Sequence, residues 1–189
     1  MYRAMGYYFL QHGIKAEEEE KIKEVCDYIS VALAYENGVQ KVLLNGEDIS
    51  DKIRQEEVGN MTSATSGYGF ARAKLLSLQQ DMAAQHNVIM DGRDIGTCVL
   101  PNAQLKIFLT ASVEVRAKRR YDELVAKGEQ CDLAEIEKDI SERDYRDMHR
   151  EIAPLKAAED AVMLDSSDLN IDEVVEAIYE QAKKAGLDA

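Results

Sequence analysis

Residues 87–109, NVIMDGRDIGTCVLPNAQLKIFL, contain the pattern that decides the fold class. Two short apolar runs, Asn87–Met90 and Leu105–Leu109, are separated by polar residues and glycines, and a third run, Ala161–Leu164, follows later. Each run is followed by polar residues and then by a helical pattern. Short strands that are apolar throughout and alternate with helices are typical of a parallel sheet with helices on both faces. The sequence therefore predicts an α/β fold.

A different pattern occupies residues 29–49, ISVALAYENGVQKVLLNGEDI. Two Asn-Gly pairs, Asn37-Gly38 and Asn45-Gly46, each lie between apolar, β-favouring runs. Asn-Gly is the strongest short hairpin signal, because both residues tolerate the positive φ of a type I′ turn. This segment predicts a small antiparallel sheet of three strands inserted into the α/β domain.

The helices are indicated by periodicity and by their first residues. Asp132 with Glu135, and Asn170 with Glu173, have the spacing of capping boxes, and Ser112 opens another helix. Further helical segments are predicted over residues 3–13, 17–28, 51–85 (interrupted near Ser66–Gly69) and 171–182. Because no biased linker interrupts the chain, we expect residues 1–189 to form a single domain.

The net charge of −13 argues against a protein whose whole surface attracts nucleic acid or anionic lipid. The sequence has no run of 18 apolar residues, so no membrane-spanning helix is predicted. Three widely spaced cysteines suit reduced thiols, so we expect a cytoplasmic protein, and we expect a monomer. Neither the cysteines nor the histidines have metal-ligand spacing, so no metal site is predicted on them: Cys26, Cys98, Cys131, His12, His86 and His149.

The segment VIMDGRDIGT, residues 88–97, is the first candidate site. In parallel α/β sheets, ligands bind beyond the carboxyl ends of the strands. Asp91, Arg93 and Asp94 are expected there, and Gly92 lets the backbone approach a ligand. The alternative interpretation is a simple bend between a strand and a helix.

The segment SERDYRDMHR, residues 141–150, is the second candidate site. On a helix, Arg143, Arg146, Asp147 and Arg150 recur at three- and four-residue steps, so they share one face. They can form exposed ion pairs with one another, and the spacing alone favours that interpretation. They can also hold a phosphate, because a guanidinium donates two hydrogen bonds at once to an oxyanion.

Taken in order, these segments and their neighbours resemble bacterial cytidylate kinase over essentially the whole chain. The resemblance is carried by MYR, LNGEDISDKIRQEEVGNMTS, DGRDIGTCVLPNAQLKIFLTAS, ERDYRDMHREIAPL and AEDAVMLDSS. It implies a P-loop NTPase-like fold and ATP-dependent, Mg²⁺-assisted phosphorylation of CMP and dCMP. It also implies a CMP-binding lobe over residues 27–85, which includes the antiparallel insert, and a lid-like segment over residues 121–133.

The resemblance assigns roles to individual residues. Its implied cytosine-binding residues are Ser63, Arg72 and Asp94. Its implied phosphate-binding residues are Arg3, Arg93 and Arg150, with Tyr2 adjacent, and Arg143 and Asp147 match residues near the ribose. Arginines expected to neutralise the transferring phosphoryl group are Arg93, Arg116, Arg120 and Arg143, with Arg119 beside them. The segment 164–168 is implied to neighbour the adenine of ATP.

One element of the family pattern is absent. In the family, a loop of the form G-x-x-x-x-G-K-[S/T] follows the first strand and cradles the phosphates of ATP. No stretch of residues 1–189 has this form. We therefore expect the chain to lack the first strand and this loop, on the order of 30 residues or one βαβ unit, with reduced phosphoryl transfer.

Three alternatives to a CMP kinase stay open. They are a module that binds CMP without phosphorylating it, a scaffold that has kept the fold alone, and a related kinase for UMP or AMP. A binding module would show no turnover of ATP, and a scaffold would show no affinity for CMP. A kinase for UMP or AMP would be recognised by its preference in a panel of substrates.

Overall fold

The computed structural model describes residues 1–187, which form two compact units. The first unit comprises Met1–Ile89 with Arg150–Ile152, and the second comprises Met90–His149 with the described residues from Ala153 onward. The elements of the first unit are α1 (Tyr2–Gln11), α2 (Glu19–Cys26), β1 (Val31–Glu36), β2 (Val39–Leu44), β3 (Glu47–Asp48), α3 (Glu56–Thr65) and α4 (Gly69–Gln85). Those of the second unit are β4 (Ile107–Thr110), α5 (Val113–Ala126), α6 (Leu133–His149), β5 (Val162–Asp165) and α7 (Ile171–Lys184).

The antiparallel sheet of the first unit has the strand order β1-β2-β3 that the sequence predicts. Asn37 and Gly38, which join β1 to β2, have φ of 54° and 78°. Asn45 and Gly46, which join β2 to β3, have φ of 51° and 88°. Both pairs therefore adopt the positive φ of a type I′ turn, which matches the right-handed twist of the flanking strands.

The core of the first unit lies where α1 contacts α3 and β2, and where α2 contacts α4. The predicted helix over residues 51–85 is realised as a short 3₁₀ turn at Lys52–Arg54, then α3, then α4. The break between α3 and α4 falls at residues 66–68, within the predicted interruption. The largest fully buried side chains of this core are Met5, Phe9, Ile22, Ile29, Ile49, Val58 and Leu75.

The second unit contains a parallel pair, β4 and β5, in register from Ile107 with Val162 to Thr110 with Asp165. This confirms the α/β class and two of the three predicted strands. Leu109 and Met163 lie on opposite faces of this pair and are 51% and 60% exposed, so neither face is fully covered as predicted. Parallel sheets normally bury both faces, which makes this pair unusual among the described residues.

The prediction of a strand over residues 87–90 is wrong for this structure. These residues form no ladder, and Ile89 is fully exposed. A strand is stable only when a neighbour satisfies its backbone N–H and C=O groups, and no described segment pairs with this one. The run therefore has the apolar composition of a buried strand but does not form one.

The predicted helix starts are confirmed where cap geometry is observed. Asn170 and Glu173 form a reciprocal capping box at α7. The Ser112 hydroxyl accepts from a first-turn N–H of α5, and Asp132 accepts from two N–H groups at the start of α6. Among residues 1–187, no helix combines the length and apolar composition needed to cross a membrane.

We predict that Gly6→Ala destabilises the first unit. A Cβ at Gly6 would lie 2.6 Å from Oγ1 of Thr62 and 3.3 Å from the carbonyl oxygen of Val58, where α1 contacts α3. The clash, about 1–3 kcal/mol, outweighs the gain in helix propensity, about 1 kcal/mol. Urea denaturation followed by circular dichroism should show a lower free energy of unfolding. Gly67→Ala is the matched control, because no atom lies within 4 Å of a Cβ there. Equal midpoints for the two variants would contradict the prediction.

Candidate functional site

Arg72 is the most deeply placed of the predicted site residues in the first unit. It lies in the first turn of α4, and only 8% of it is exposed. Its Nη1 donates to the carbonyl oxygen of Ser66 at 3.2 Å, and its Cζ lies 5.6 Å from the centre of the Tyr2 ring. A guanidinium over an aromatic face is held by the negative ring quadrupole as well as by hydrogen bonds. The structure thus brings two predicted residues, Tyr2 and Arg72, together.

Arg150 belongs to the same group, although it lies far away in the sequence. Its Nη1 donates to the Ser66 hydroxyl at 3.1 Å. The Ser66 hydroxyl is in turn within 3.3 Å of the carbonyl oxygen of Ser63, another predicted residue. Ser66 was not predicted as a site residue, because the sequence showed it only as part of an interruption between two helices.

Arg3 lies on α1 and is directed to a different part of the first unit. Its Nη1 donates to the carbonyl oxygens of Ile53 and Gln55, the latter at 3.4 Å. These carbonyls lie at the end of the 3₁₀ turn, where helical C=O groups lose their own partners. Arg3 therefore ties α1 to the segment that leads into α3.

In the second unit, an ion pair joins the two candidate segments that the sequence separates by about fifty residues. Nε of Arg93 lies 3.3 Å from Oδ2 of Asp147, and the Asp147 side chain is 3% exposed. A carboxylate this buried needs a partner that stabilises its charge. Asp147 therefore pairs with an arginine from another segment, in addition to sharing a helix face with Arg143 and Arg146.

Asp94 directly follows Arg93 in the sequence and is buried, with 6% of the residue exposed. Its carbonyl oxygen accepts from the backbone N–H groups of Thr97 and Cys98, at 3.3 and 2.8 Å, in a wide helical turn over Ile95–Val99. A Cβ at Gly92 would lie 2.8 Å from Cγ1 of Ile95, so glycine at this position leaves room for the Ile95 side chain. The DGRD segment is thus a bend that buries Asp94, and its role as a ligand site remains a prediction.

The arginines of α5 do not act as one group. Arg116 donates through Nε to the carbonyl oxygen of Ala111 at 2.9 Å, and its Nη2 lies 2.6 Å from Oδ2 of Asp144 on α6. Arg120 pairs with Glu123 one turn along the same helix, at 2.9 Å. Arg143, on α6, is half-buried. The phosphoryl-neutralising roles predicted for these residues remain predictions.

Arg119 has contacts that the sequence did not indicate. Its guanidinium donates to the carbonyl oxygens of Ser166 and Leu169, the latter at 3.0 Å, and to the Ser166 hydroxyl at 3.3 Å. Ser166 follows β5 and is 4% exposed, and its own hydroxyl donates to the carbonyl oxygen of Thr110. Arg119 therefore fixes the loop after β5.

The same loop is fixed by two serines and an aspartate at the carboxyl ends of β4 and β5. The Ser167 hydroxyl and backbone N–H donate to Asp165 at 2.6 and 2.9 Å, and these bonds lower the pKa of that carboxyl. The Ser167 hydroxyl also accepts from the N–H of Ser112 at 3.0 Å. Because the folded-state pKa is lowered, this contribution to stability is present at neutral pH and is lost as pH falls below about 4.

The predicted lid-like segment, residues 121–133, comprises the last turns of α5 and the connection to α6. Lys127 is the C-cap residue of α5, and the next residue, Gly128, has φ of 79°. Leu124 is buried against Ile136 in a small cluster of its own, which packs the two helices together.

No group of three His, Cys, Asp or Glu residues within residues 1–187 could hold a metal ion. His12 and His149 stack on Tyr8 and Tyr145, with ring centroids 4.0 Å apart in each pair, as expected of surface packing residues. The three cysteines are free; Cys26 is buried, and burial raises the pKa of its thiol.

Comparison with known proteins identifies relatives along nearly the whole chain. The family model for cytidylate kinase matches residues 1–184. A cytidylate kinase of Caldicellulosiruptor saccharolyticus is 51% identical over 180 residues, which are 95% of this chain and 80% of that protein. A cytidylate kinase of Streptococcus pneumoniae is 50% identical over 185 residues, covering 97% of this chain and 83% of its own.

We predict that Arg119→Ala destabilises the second unit more than Lys118→Ala does. The Arg119 variant leaves the carbonyl oxygen of Leu169 without this donor and should lower the free energy of unfolding by about 1–2 kcal/mol. Lys118 lies on the same helix, and its contacts are exposed: an ion pair with Asp122 and a cation–π contact 5.8 Å from the centre of the Tyr121 ring. Its removal should therefore cost less, about 0.5 kcal/mol. Urea denaturation measures both, and an equal loss for the two variants would refute the role given to Arg119.

Proposed function

The chain belongs to the cytidylate kinase family, and we propose that it transfers the γ-phosphoryl group of ATP to CMP or dCMP. The observation that carries the proposal is the family match over residues 1–184, supported by about 50% identity to relatives named cytidylate kinase. Each unit holds arginines that are at least partly buried, Arg72 and Arg150 in the first and Arg93 and Arg143 in the second, and guanidinium groups suit an anionic nucleotide substrate.

Recognition of the base is proposed to depend on Asp94, Arg72 and Ser63. Cytosine presents an amino donor beside two acceptors on its pairing edge. The Asp94 carboxylate accepts from the amino group, while the Arg72 guanidinium and the Ser63 hydroxyl donate to the acceptors. Uracil would place a carbonyl oxygen against a buried carboxylate, so the protein should reject UMP strongly.

The phosphate and ribose of CMP are proposed to be bound by the remaining predicted residues. The phosphate-binding residues are Arg3, Arg93 and Arg150, with Tyr2 adjacent, and the ribose-binding residues are Arg143 and Asp147. Guanidinium groups match the geometry of phosphate oxygens through paired N–H donors. Arg93, which already contacts Asp147, is supported for this role by its partial exposure, since 40% of its side chain is accessible.

The chemical step is proposed to be a direct displacement. An oxygen of the CMP phosphate attacks the γ-phosphorus of ATP, and the bond from that phosphorus to the β–γ bridging oxygen breaks. ADP leaves with the electron pair, and no covalent enzyme intermediate forms. Arg93, Arg116, Arg120 and Arg143 are proposed to stabilise the negative charge that is shared between the two phosphates.

Mg²⁺ is proposed to reach the protein bound to ATP. Since residues 1–187 provide no group of three ligating side chains, no step is assigned to a protein-bound metal. Mg²⁺ commonly keeps several waters and binds through substrate phosphates, which is consistent with this assignment.

The second candidate function is that of a module that binds CMP without phosphorylating it. Coupled ADP release, measured with ATP, Mg²⁺ and CMP, separates the two functions, and calorimetric titration of CMP supplies a readout that needs no turnover.

We predict that Asp94→Ala weakens CMP recognition selectively. Loss of a charged acceptor from a buried position should raise the dissociation constant for CMP by about 10- to 100-fold. Asp139→Ala, which removes an exposed carboxylate from α6, should leave it unchanged. Titration of each variant with CMP and UMP, together with ADP release where turnover occurs, measures the effect. Retained CMP affinity in Asp94→Ala, or equal affinity of the unaltered chain for CMP and UMP, would refute the base-recognition scheme.

A further inference from the structure

Ser66 is a buried residue that contacts three of the predicted CMP-binding side chains or their backbone. It follows the last residue of α3, and its N–H donates to the carbonyl oxygen of Thr62 at 2.9 Å. Only 8% of the residue is exposed. Its backbone is therefore held by the end of α3.

Each polar group of Ser66 has a separate partner. The carbonyl oxygen accepts from Nη1 of Arg72 at 3.2 Å, and the hydroxyl accepts from Nη1 of Arg150 at 3.1 Å. The hydroxyl hydrogen is directed to the carbonyl oxygen of Ser63, 3.3 Å away. A serine hydroxyl has one donor and two acceptor positions, so both of its bonds can form at the same time.

We propose that Ser66 is a positioning residue for the monophosphate substrate, which holds Arg150 in the orientation that binds the phosphate. The inference rests on the proposed function. Arg150 reaches Ser66 across 84 positions of the sequence, so the hydroxyl ties this guanidinium to the end of α3. A long arginine side chain loses conformational freedom when it binds a phosphate, and a hydrogen bond that restricts it beforehand reduces that loss.

The Ser66 hydroxyl contacts Arg150, which is proposed to bind the phosphate, and the Ser66 carbonyl contacts Arg72, which is proposed to bind the base. Replacement of the hydroxyl leaves the backbone carbonyl, and therefore the bond to Arg72, in place. The effect should then fall on the phosphate and spare the base. If the hydroxyl only stabilised the end of α3, its loss would instead change thermal stability and would weaken the binding of any ligand of this unit equally.

The test compares Ser66→Ala with Ser66→Thr by calorimetric titration with CMP and with cytidine, which lacks the phosphate. Ser66→Ala should raise the dissociation constant for CMP about fivefold, as expected for one hydrogen bond. Its affinity for cytidine should stay unchanged. Ser66→Thr keeps the hydroxyl and should restore the affinity for CMP. Thr65→Val is the matched control, because it removes a buried hydroxyl that bonds only to the carbonyl oxygen of Met61 in its own helix.

Each outcome decides the proposal. A selective loss for CMP in Ser66→Ala, absent from Thr65→Val, supports it. Unchanged CMP affinity in Ser66→Ala, or equal losses for CMP and cytidine, overturns it while leaving CMP binding by the chain established. If the unaltered chain binds no CMP, the proposed function fails and the role of Ser66 fails with it. Titration of the unaltered chain therefore distinguishes this result from a failure of the Ser66 role alone.

Discussion

A guanidinium group that is partly removed from water needs acceptors supplied by the protein, and this requirement organises both units. In the first unit, the acceptors are backbone carbonyls and a hydroxyl at the ends of helical segments: Ser66 receives Arg72 and Arg150, and Ile53 receives Arg3. Carbonyls at a helix end have no partner within the helix, so they are available to a side chain from elsewhere. The helix ends therefore determine where these arginines lie.

In the second unit, carboxylates of α6 fulfil the same requirement. Asp147 receives Arg93, and Asp144 receives Arg116. Both carboxylates lie on the last helical turns of α6, so this helix ties the segment after Met90 and the helix α5 to itself. Removal of a buried carboxylate would leave a charge without its partner, which costs more than the pair itself contributes. α6 thus serves as the common anchor of the predicted site residues in this unit.

Sequence patterns predicted most of the local structure, because the signals for it are themselves local. The Asn-Gly turns and the Asn170–Glu173 capping box were predicted from adjacent residues, and their geometry depends on little else. The strand at residues 87–90 was not realised, because a strand also needs a neighbour that its own sequence cannot specify. For the candidate site, the helical spacing of Arg143 and Asp147 was predictable, while the pairing of Asp147 with Arg93 was not. Ser66 and Arg119 were missed for the same reason, since Arg150 lies 84 positions from Ser66 and Leu169 lies 50 positions from Arg119.

These fixed arginines also explain how an acidic chain can bind an anion. With a net charge of −13, the long-range field of the protein repels a nucleotide phosphate. Binding must then come from short-range contacts, which are strong only if the donors are already oriented. The side chain of Arg72 is held between Ser66 and the Tyr2 ring, and that of Arg150 is held by the Ser66 hydroxyl. The conformations of both side chains are therefore restricted in the chain without a ligand. For the proposed roles of Arg72 on the base and Arg150 on the phosphate, this ordering during folding would let more of the interaction free energy with CMP be retained as affinity.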